Sequence, residues 1–535
     1  MNTFTPLLAA ANNTTVYIAV PMLICFFALM IWVGIACRKH ATSVDSFVLG
    51  GRAVGPWLTA FAFGTSYFSA VIFVGYAGQF GWNFGLASTW IGLGNAFIGS
   101  LLAWSVLGRR TRVMTQHLGS KTMPDFFEKR YDSSKLKVVA SFIVFVFLIP
   151  YTASLYNGLS SLFNNVFDLP YWVVVVIMAV LTGVYVIFGG YMATAINDFI
   201  QGIIMLVGII AVIAAVLHQN GGFTEAVAKL TDTAGSQYTA LFGPNPIFLF
   251  FVVMLTSLGT WGLPQMVGKF YSIKDEGSIK KGTIISTFFA IVVAGGCYFL
   301  GGFGRLYDAP SLYAANGKIL NDKIIPTMLS DLAPVIVSLI IVLVLAASMS
   351  TLSSLVLTSS STLTLDVVKP LVSKKKAMSE KKSVLIMRLL IVFFIALSAV
   401  IAILKDTIWS NNMFIAQMMG VSWGALAGAF LAPFMYGLYW KKTTKAAVVA
   451  SFIFGTGLEL VQLCISVGWL SVKGIPVLDF VFTNSLYSGV FAMVGGLILV
   501  PIVSLLTQKT LPANIEEKFS CYDVKVVTNK KDSLG

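Results

Sequence analysis

The chain has 535 residues, 57% of them apolar and only 11% charged, with 36 Lys+Arg against 22 Asp+Glu; its mean hydropathy is +0.85. Soluble globular chains run about 25% charged and under 50% apolar, so this composition excludes a soluble enzyme and a disordered chain. The net charge of +14 would suit a nucleic-acid binder, but its meaning depends on where the basic residues sit.

A helix that crosses a bilayer needs about 20 predominantly apolar residues. Thirteen such runs follow one another, at 16–37, 57–79, 84–107, 138–163, 171–188, 195–217, 246–268, 282–303, 334–358, 384–404, 412–437, 445–470 and 484–506. The first is too long and too far from the start to be a cleaved signal, and is read as a retained helix. An odd number of crossings puts the two ends on opposite sides. With the N-terminus external, 30 of the 36 Lys+Arg fall on the cytoplasmic side; Lys229, Arg305, Lys318, Lys323, Lys405 and Lys473 fall outside. By this count no basic residue is left in the middle of a span. The pattern follows the positive-inside rule. It predicts a multi-pass protein of the cell membrane with a cytoplasmic C-terminus, whose partner is the lipid bilayer and not nucleic acid. Residues 1–506 read as a single transmembrane domain and 507–535 as a polar, frayed cytoplasmic tail. Met123-Pro124-Asp125-Phe126-Phe127-Glu128-Lys129-Arg130 mixes apolar and charged residues, as a short interfacial helix does.

The five cysteines (Cys25, Cys37, Cys297, Cys464, Cys521) have no ligand spacing, so neither disulfides nor a zinc site is supported. His40, His117 and His218 fall in loops, and no catalytic or phosphate-binding motif is present. Neither an enzyme nor a cofactor is expected.

The informative residues are the polar ones inside apolar runs. The second run contains Phe63-Gly64-Thr65-Ser66-Tyr67-Phe68-Ser69-Ala70. A helix that opens there frees carbonyls, which a membrane tolerates only where they line a cavity. The seventh run contains Thr256-Ser257-Leu258-Gly259-Thr260-Trp261-Gly262-Leu263-Pro264, with two glycines and a proline to break it. Broken helices five spans apart match the inverted repeats of transporters; the competing reading is that Gly and Pro are common in such helices. In the ninth run, helical spacing places Ala347, Ser350, Thr351 and Ser354 on one face. That face either packs helices closely or offers oxygens to a small hard cation, neutral oxygens suiting a monovalent one. Two acids lie in or near spans, where acids are rare. Asp198 opens the sixth run, as a helix-dipole charge or as a functional group. Glu459, in the twelfth, reads first as lipid-interfacial or protonated and only second as functional.

Four motifs together resemble the sodium/solute symporter family, which includes proline, pantothenate, monocarboxylate, sialic acid and sugar symporters. They are Phe47-Val48-Leu49-Gly50-Gly51-Arg52, the block Gly189-Gly190…Asn197-Asp198…Gln201, Ala347…Ser350-Thr351…Ser353-Ser354, and Trp440-Lys441-Lys442. The resemblance covers roughly the first twelve runs. It implies an all-α integral membrane fold, a LeuT-type core of five plus five inverted-repeat helices within about 13 transmembrane helices. The repeats would span about 57–217 and 246–437, and the activity would be sodium-coupled import of a small organic solute. It further implies one sodium ion held by the carbonyls of Thr65, Phe68 and Ala347 and the hydroxyls of Ser350 and Thr351. In members that bind a second sodium, Asp198, Ser350, Ser353 and Ser354 match its ligands.

For the solute the resemblance is uneven. Tyr151 matches the substrate-side tyrosine of proline symporters. Those proteins carry an acid where this chain has Tyr67, and aromatics at Val71, Thr256 and Thr260. The glutamine of sugar symporters aligns with Ile72. Ser69, Ala70, Tyr151, Thr256, Thr260 and Trp261 are the expected substrate-binding residues. A monocarboxylate, amino acid or pantothenate-like acid fits them best, its anion meeting a half-helix N-terminus. The alternatives are proton coupling through Asp198 or Glu459, and a non-transporting sensor, for which a tail of about 30 residues is too short to hold a signalling domain.

Overall fold

The computed structural model describes residues 5–167, 169–314, 316–373, 378–408 and 415–523. The basic residues at 374–376 and the end of the tail, 524–535, lie outside the described residues. The described chain is helical, with two isolated β-bridges. Among the described residues ten helices are long and apolar enough to cross a membrane, or eleven if the bent pair Pro246–Gly262 and Pro264–Ser272 is one span. The described parts of the apolar runs fall on these helices, except that the second run begins on the shorter helix Pro56–Tyr67, and length and composition give ten or eleven spans where thirteen were expected. The difference lies in two long helices, Val71–His117 with 47 residues and Tyr171–Gln219 with 49. Each exceeds twice the roughly 20 residues that a bilayer core takes. Each is interrupted at a glycine in a backbone region closed to other residues: Gly85 at φ 60°, ψ −138° and Gly190 at φ 56°, ψ −148°.

Helix starts follow local chemistry. Pro56, Pro246, Pro264 and Pro334 stand in first turns, where the missing N–H costs nothing. Asn245, Thr444 and Asn484 accept from the backbone N–H groups of Phe248, Ala447 and Leu486 at 3.0, 3.3 and 2.9 Å.

Two helices break in matching ways. Pro56–Tyr67 ends at Phe68, which is extended at φ −88°, ψ 121°. Pro246–Gly262 ends at Leu263, extended at φ −84°, ψ 119°, where the following Pro264 disfavours helical backbone; the bend is 48°. The two are stitched together at one end. The Val54 N–H donates to the Ser272 carbonyl at 3.2 Å, and the Lys274 N–H to the Val54 carbonyl at 3.0 Å. Arg52, in left-handed backbone at φ 55°, donates to the Tyr271 carbonyl at 3.2 Å. The helix Pro334–Thr362 runs through the middle, with every residue from Ile340 to Leu357 buried.

Three expectations are corrected here. The helix Met123–Tyr131 turns its apolar face to protein and not to lipid: Phe126, Phe127, Arg130 and Tyr131 are buried against the helix Ile415–Tyr439. Arg130 Nε donates to the Gly437 carbonyl at 2.9 Å and the Tyr131 hydroxyl to the Pro433 carbonyl at 2.7 Å. A mixed apolar and charged pattern reads the same whether the helix lies on lipid or on protein. On this helix burial acts to raise the Glu128 carboxyl, but hydrogen bonds from Lys137 and Ser134 hold it below its ordinary range.

The tail is not frayed as far as Tyr522. Lys518 Nζ meets Asp132 Oδ1 at 2.6 Å, and the Arg110 guanidinium sits between the rings of Tyr439 and Tyr522 at 4.1 and 4.5 Å. Glu459 does not face lipid. It is 0% exposed, lies beside Ser488 and abuts Gly424, where a Cβ would come within 2.4 Å of Glu459 Oε1.

Candidate ion and solute site

The first break delivers backbone oxygens to the central helix. Because Phe68 leaves helical geometry, the Thr65 and Phe68 carbonyls are free to face the turn Ala347–Thr351. The Ser350 hydroxyl lies 3.2 Å from the Thr65 carbonyl and 3.0 Å from the Ala347 carbonyl. The Thr351 hydroxyl lies 3.2 Å from the Thr65 carbonyl, 3.3 Å from the Phe68 carbonyl and 3.1 Å from the Ala347 carbonyl. All five residues that the resemblance marks for the first sodium are brought together, and all are buried. Hydroxyls carry lone pairs as well as a proton, so both can turn to coordinate a cation alongside the three carbonyls. Five neutral oxygens suit a monovalent hard cation; divalent sites add carboxylates.

One turn further along, Ser66 Oγ and Ser354 Oγ are 2.7 Å apart, and the Ser353 hydroxyl donates to the Ser350 carbonyl at 2.9 Å. Asp198, 0% exposed, joins this cluster from the helix Tyr171–Gln219. The group that sequence reading assigned elsewhere is Lys269. Counted there among loop charges, it is 3% exposed. Its Nζ stands 3.5 Å from Asp198 Oδ2, 3.0 Å from Ser354 Oγ and 5.4 Å from the centre of the Tyr191 ring. The expectation that no basic residue lies inside the spans therefore fails. The half-helix Pro264–Ser272 carries Lys269 inward, away from Lys274, Lys280 and Lys281. The available signal was a single charge within the apolar stretch Pro264–Ile273.

The expected solute residues form two sets. Ser69 and Ala70 are buried at the first break, beside Tyr151 and Gly158 of the helix Ser134–Phe167. Tyr151 meets Trp423 edge to face at 5.9 Å, and Tyr67 lies 5.9 Å from the same indole. Thr256, Thr260 and Trp261 turn instead toward the third apolar run. The Thr256 and Ser257 hydroxyls donate to Asn95 Oδ1 at 3.1 and 3.0 Å. The Thr260 hydroxyl donates to the Ser257 carbonyl at 2.8 Å, and Trp261 Nε1 to the Ile98 carbonyl at 3.0 Å. Tyr67 links the sets through its hydroxyl, which donates to the Thr256 carbonyl at 2.7 Å. Trp423 and Asn95 were missed by sequence reading. Each is legible afterwards as a large or polar residue among small ones, in Gly420-Val421-Ser422-Trp423-Gly424 and Gly94-Asn95-Ala96.

The sequence profile of the "Sodium:solute symporter family" matches residues 47–455, and the chain belongs to that family. It is 29% identical over 503 residues to sodium/proline symporters from several strains of Staphylococcus aureus, spanning 91% of this chain and 92% of theirs. It shares its fold with a Na+-coupled sialic acid symporter solved in a substrate-bound outward-open state. That structure matches with a TM-score of 0.75 at 19% identity, over 91% of this chain and 97% of the other. The chain is thus a multi-pass membrane transporter, not an enzyme, and its class of activity is sodium-coupled solute symport.

Proposed function

We propose that this protein imports a small organic acid or amino acid with a single carboxylate, driven by sodium. Its core would be two inverted halves, about 57–217 and 246–437, within thirteen crossings, with the N-terminus external. The observation that carries the reading is the convergence of the Thr65, Phe68 and Ala347 carbonyls with the Ser350 and Thr351 hydroxyls. A sodium ion held by these oxygens bridges the first broken helix to the central helix. It thereby fixes the break next to Ser69 and Ala70, so ion and solute stabilise the same arrangement.

Charge balance supports one carboxylate. Lys269 is already paired with Asp198, and a second solute charge buried without a partner would cost several kcal/mol. Tyr67, Tyr151 and Trp423 offer aromatic faces to the apolar part of the solute. The solute of the sodium/proline relatives is not carried over, because Tyr67, Val71, Thr256 and Thr260 all depart from the proline pattern.

Uptake into proteoliposomes under an imposed sodium gradient tests the reading. Uptake should vanish when choline replaces sodium, and one small acid should compete where its amide does not. Equal competition by acid and amide, or sodium-driven uptake of an uncharged sugar, would overturn the choice of solute. Orientation is tested by cysteine labelling at exposed positions: Lys229→Cys should react from outside and Lys381→Cys only after permeabilisation. Leu230, one residue on, is buried and unsuitable.

A further inference from the structure

The Ser353–Ser354 turn and Asp198 match the ligands of a second sodium in those relatives that bind one, but here the place next to them is taken. The Lys269 ammonium lies between Asp198 Oδ2 at 3.5 Å and Ser354 Oγ at 3.0 Å, and the Tyr191 ring covers it at 5.4 Å. Ser354 is further tied to Ser66 on the first broken helix at 2.7 Å. The ammonium donates a hydrogen bond to Ser354 and meets Asp198 as an ion pair, neither carboxylate oxygen accepting a hydrogen bond, so one full positive charge stands beside the carboxylate under an aromatic face. A sodium ion in the same place would meet that charge at contact distance. The residues as arranged therefore do not fit a second sodium.

We infer that the Lys269 ammonium is a built-in substitute for the second coupling cation, so that this protein binds one sodium ion per chain. The lysine joins the two elements that a second ion would join, the helix Tyr171–Gln219 through Asp198 and the central helix through Ser354, and ties them to its own half-helix Pro264–Ser272. A cleft lined by Lys121, Tyr191, Gln265, Ser361 and Thr362 reaches Lys269 and Ser354, so removal of the side chain would leave the carboxylate within reach of ions in solution. The inference rests on the sodium-coupled reading and deepens it.

The test is equilibrium binding of radioactive sodium, with no solute, to the purified full-length chain in lipid nanodiscs. The wild type should bind one ion with a Hill coefficient near one. Lys269→Ala should bind two, with a Hill coefficient above one, because Asp198 then recruits an ion. Asp198→Asn/Lys269→Ala, which removes both charges, should return to one. Two ions in the wild type, or one in a folded Lys269→Ala protein, would overturn the inference and leave sodium coupling intact. No sodium binding by the wild type would overturn the sodium-coupled reading itself. Should Lys269→Ala fail to fold, the wild-type number decides.

Discussion

The two broken helices have nearly the same backbone at their breaks and run side by side at one end, yet they bring different things to the central helix. The first brings oxygens: its opened turn aims the Thr65 and Phe68 carbonyls at Ser350 and Thr351. The second keeps its opened turn for packing, since Ser257, Thr260 and Trp261 are tied into neighbouring backbone and to Asn95. What it brings to the next turn of the central helix is a charge, Lys269. A broken helix is therefore not in itself an ion site. It can become one where the freed carbonyls meet further oxygens; at the second break the Ser257 hydroxyl and the Trp261 indole instead donate to Asn95 and the Ile98 carbonyl.

The largest effect is expected from Asp198→Asn alone, which leaves the Lys269 ammonium buried without its carboxylate. Breaking such a pair costs about 3–5 kcal/mol, so the variant should lose most of its thermal stability margin, and adding Lys269→Gln should recover much of it. A single variant as stable as the wild type would show that the two charges do not depend on each other. Next is Asn95→Ala, which strips the Asn95 acceptor from the Ser257 hydroxyl and leaves Thr256 with the Val252 carbonyl alone. At about 1–3 kcal/mol it should lower the melting temperature by a few degrees and leave the sodium concentration for half-maximal binding unchanged; a shift in sodium affinity would make the second break part of the ion site.

Ser350→Ala and Thr351→Ala should do the reverse. Each should raise the half-saturating sodium concentration about tenfold, roughly 1.4 kcal/mol, at near-normal expression, because alanine packs where the small hydroxyl did. Unchanged sodium dependence in both would detach the ion from the first break. Smallest is Trp261→Phe, which loses one hydrogen bond to the Ile98 carbonyl, about 0.5–1.5 kcal/mol. It should register in thermal stability and not in transport; a selective loss of solute affinity would restore Trp261 to the solute site.

Much of this was legible in the sequence because the membrane imposes it. Twenty apolar residues in a row, Gly and Pro within them, and hydroxyls at helical spacing are one-dimensional signals, and they marked both breaks and the face of Ala347, Ser350 and Thr351. Direction was not legible. Whether the chain after Pro264 turns toward lipid, water or protein depends on a 48° bend and on what lies opposite. Lys269 was therefore grouped with its neighbours in sequence rather than with Asp198, 71 positions earlier. Glu459 and the helix Met123–Tyr131 were misplaced for the same reason. An acid or a mixed helix carries no mark of whether its neighbour is lipid or a glycine-lined protein face such as Gly424.

One sodium ion per chain, as inferred from the Lys269–Asp198 pair, would also set a ceiling on how steeply a solute can be accumulated. One sodium ion moving down −100 mV supplies about 2.3 kcal/mol, and a tenfold sodium gradient adds about 1.4 kcal/mol. For a zwitterion that is enough for an inside-to-outside ratio of about 500. For a solute that is itself an anion, the two charges cancel, the voltage does no work, and the ratio falls to about 10. A second sodium would square the zwitterion's figure but would have to be captured from outside on every turn. A lysine cannot diffuse away, so its position is filled however dilute the sodium. With one ion to capture rather than two, the inferred arrangement would trade steepness of accumulation for a weaker dependence on the external sodium concentration.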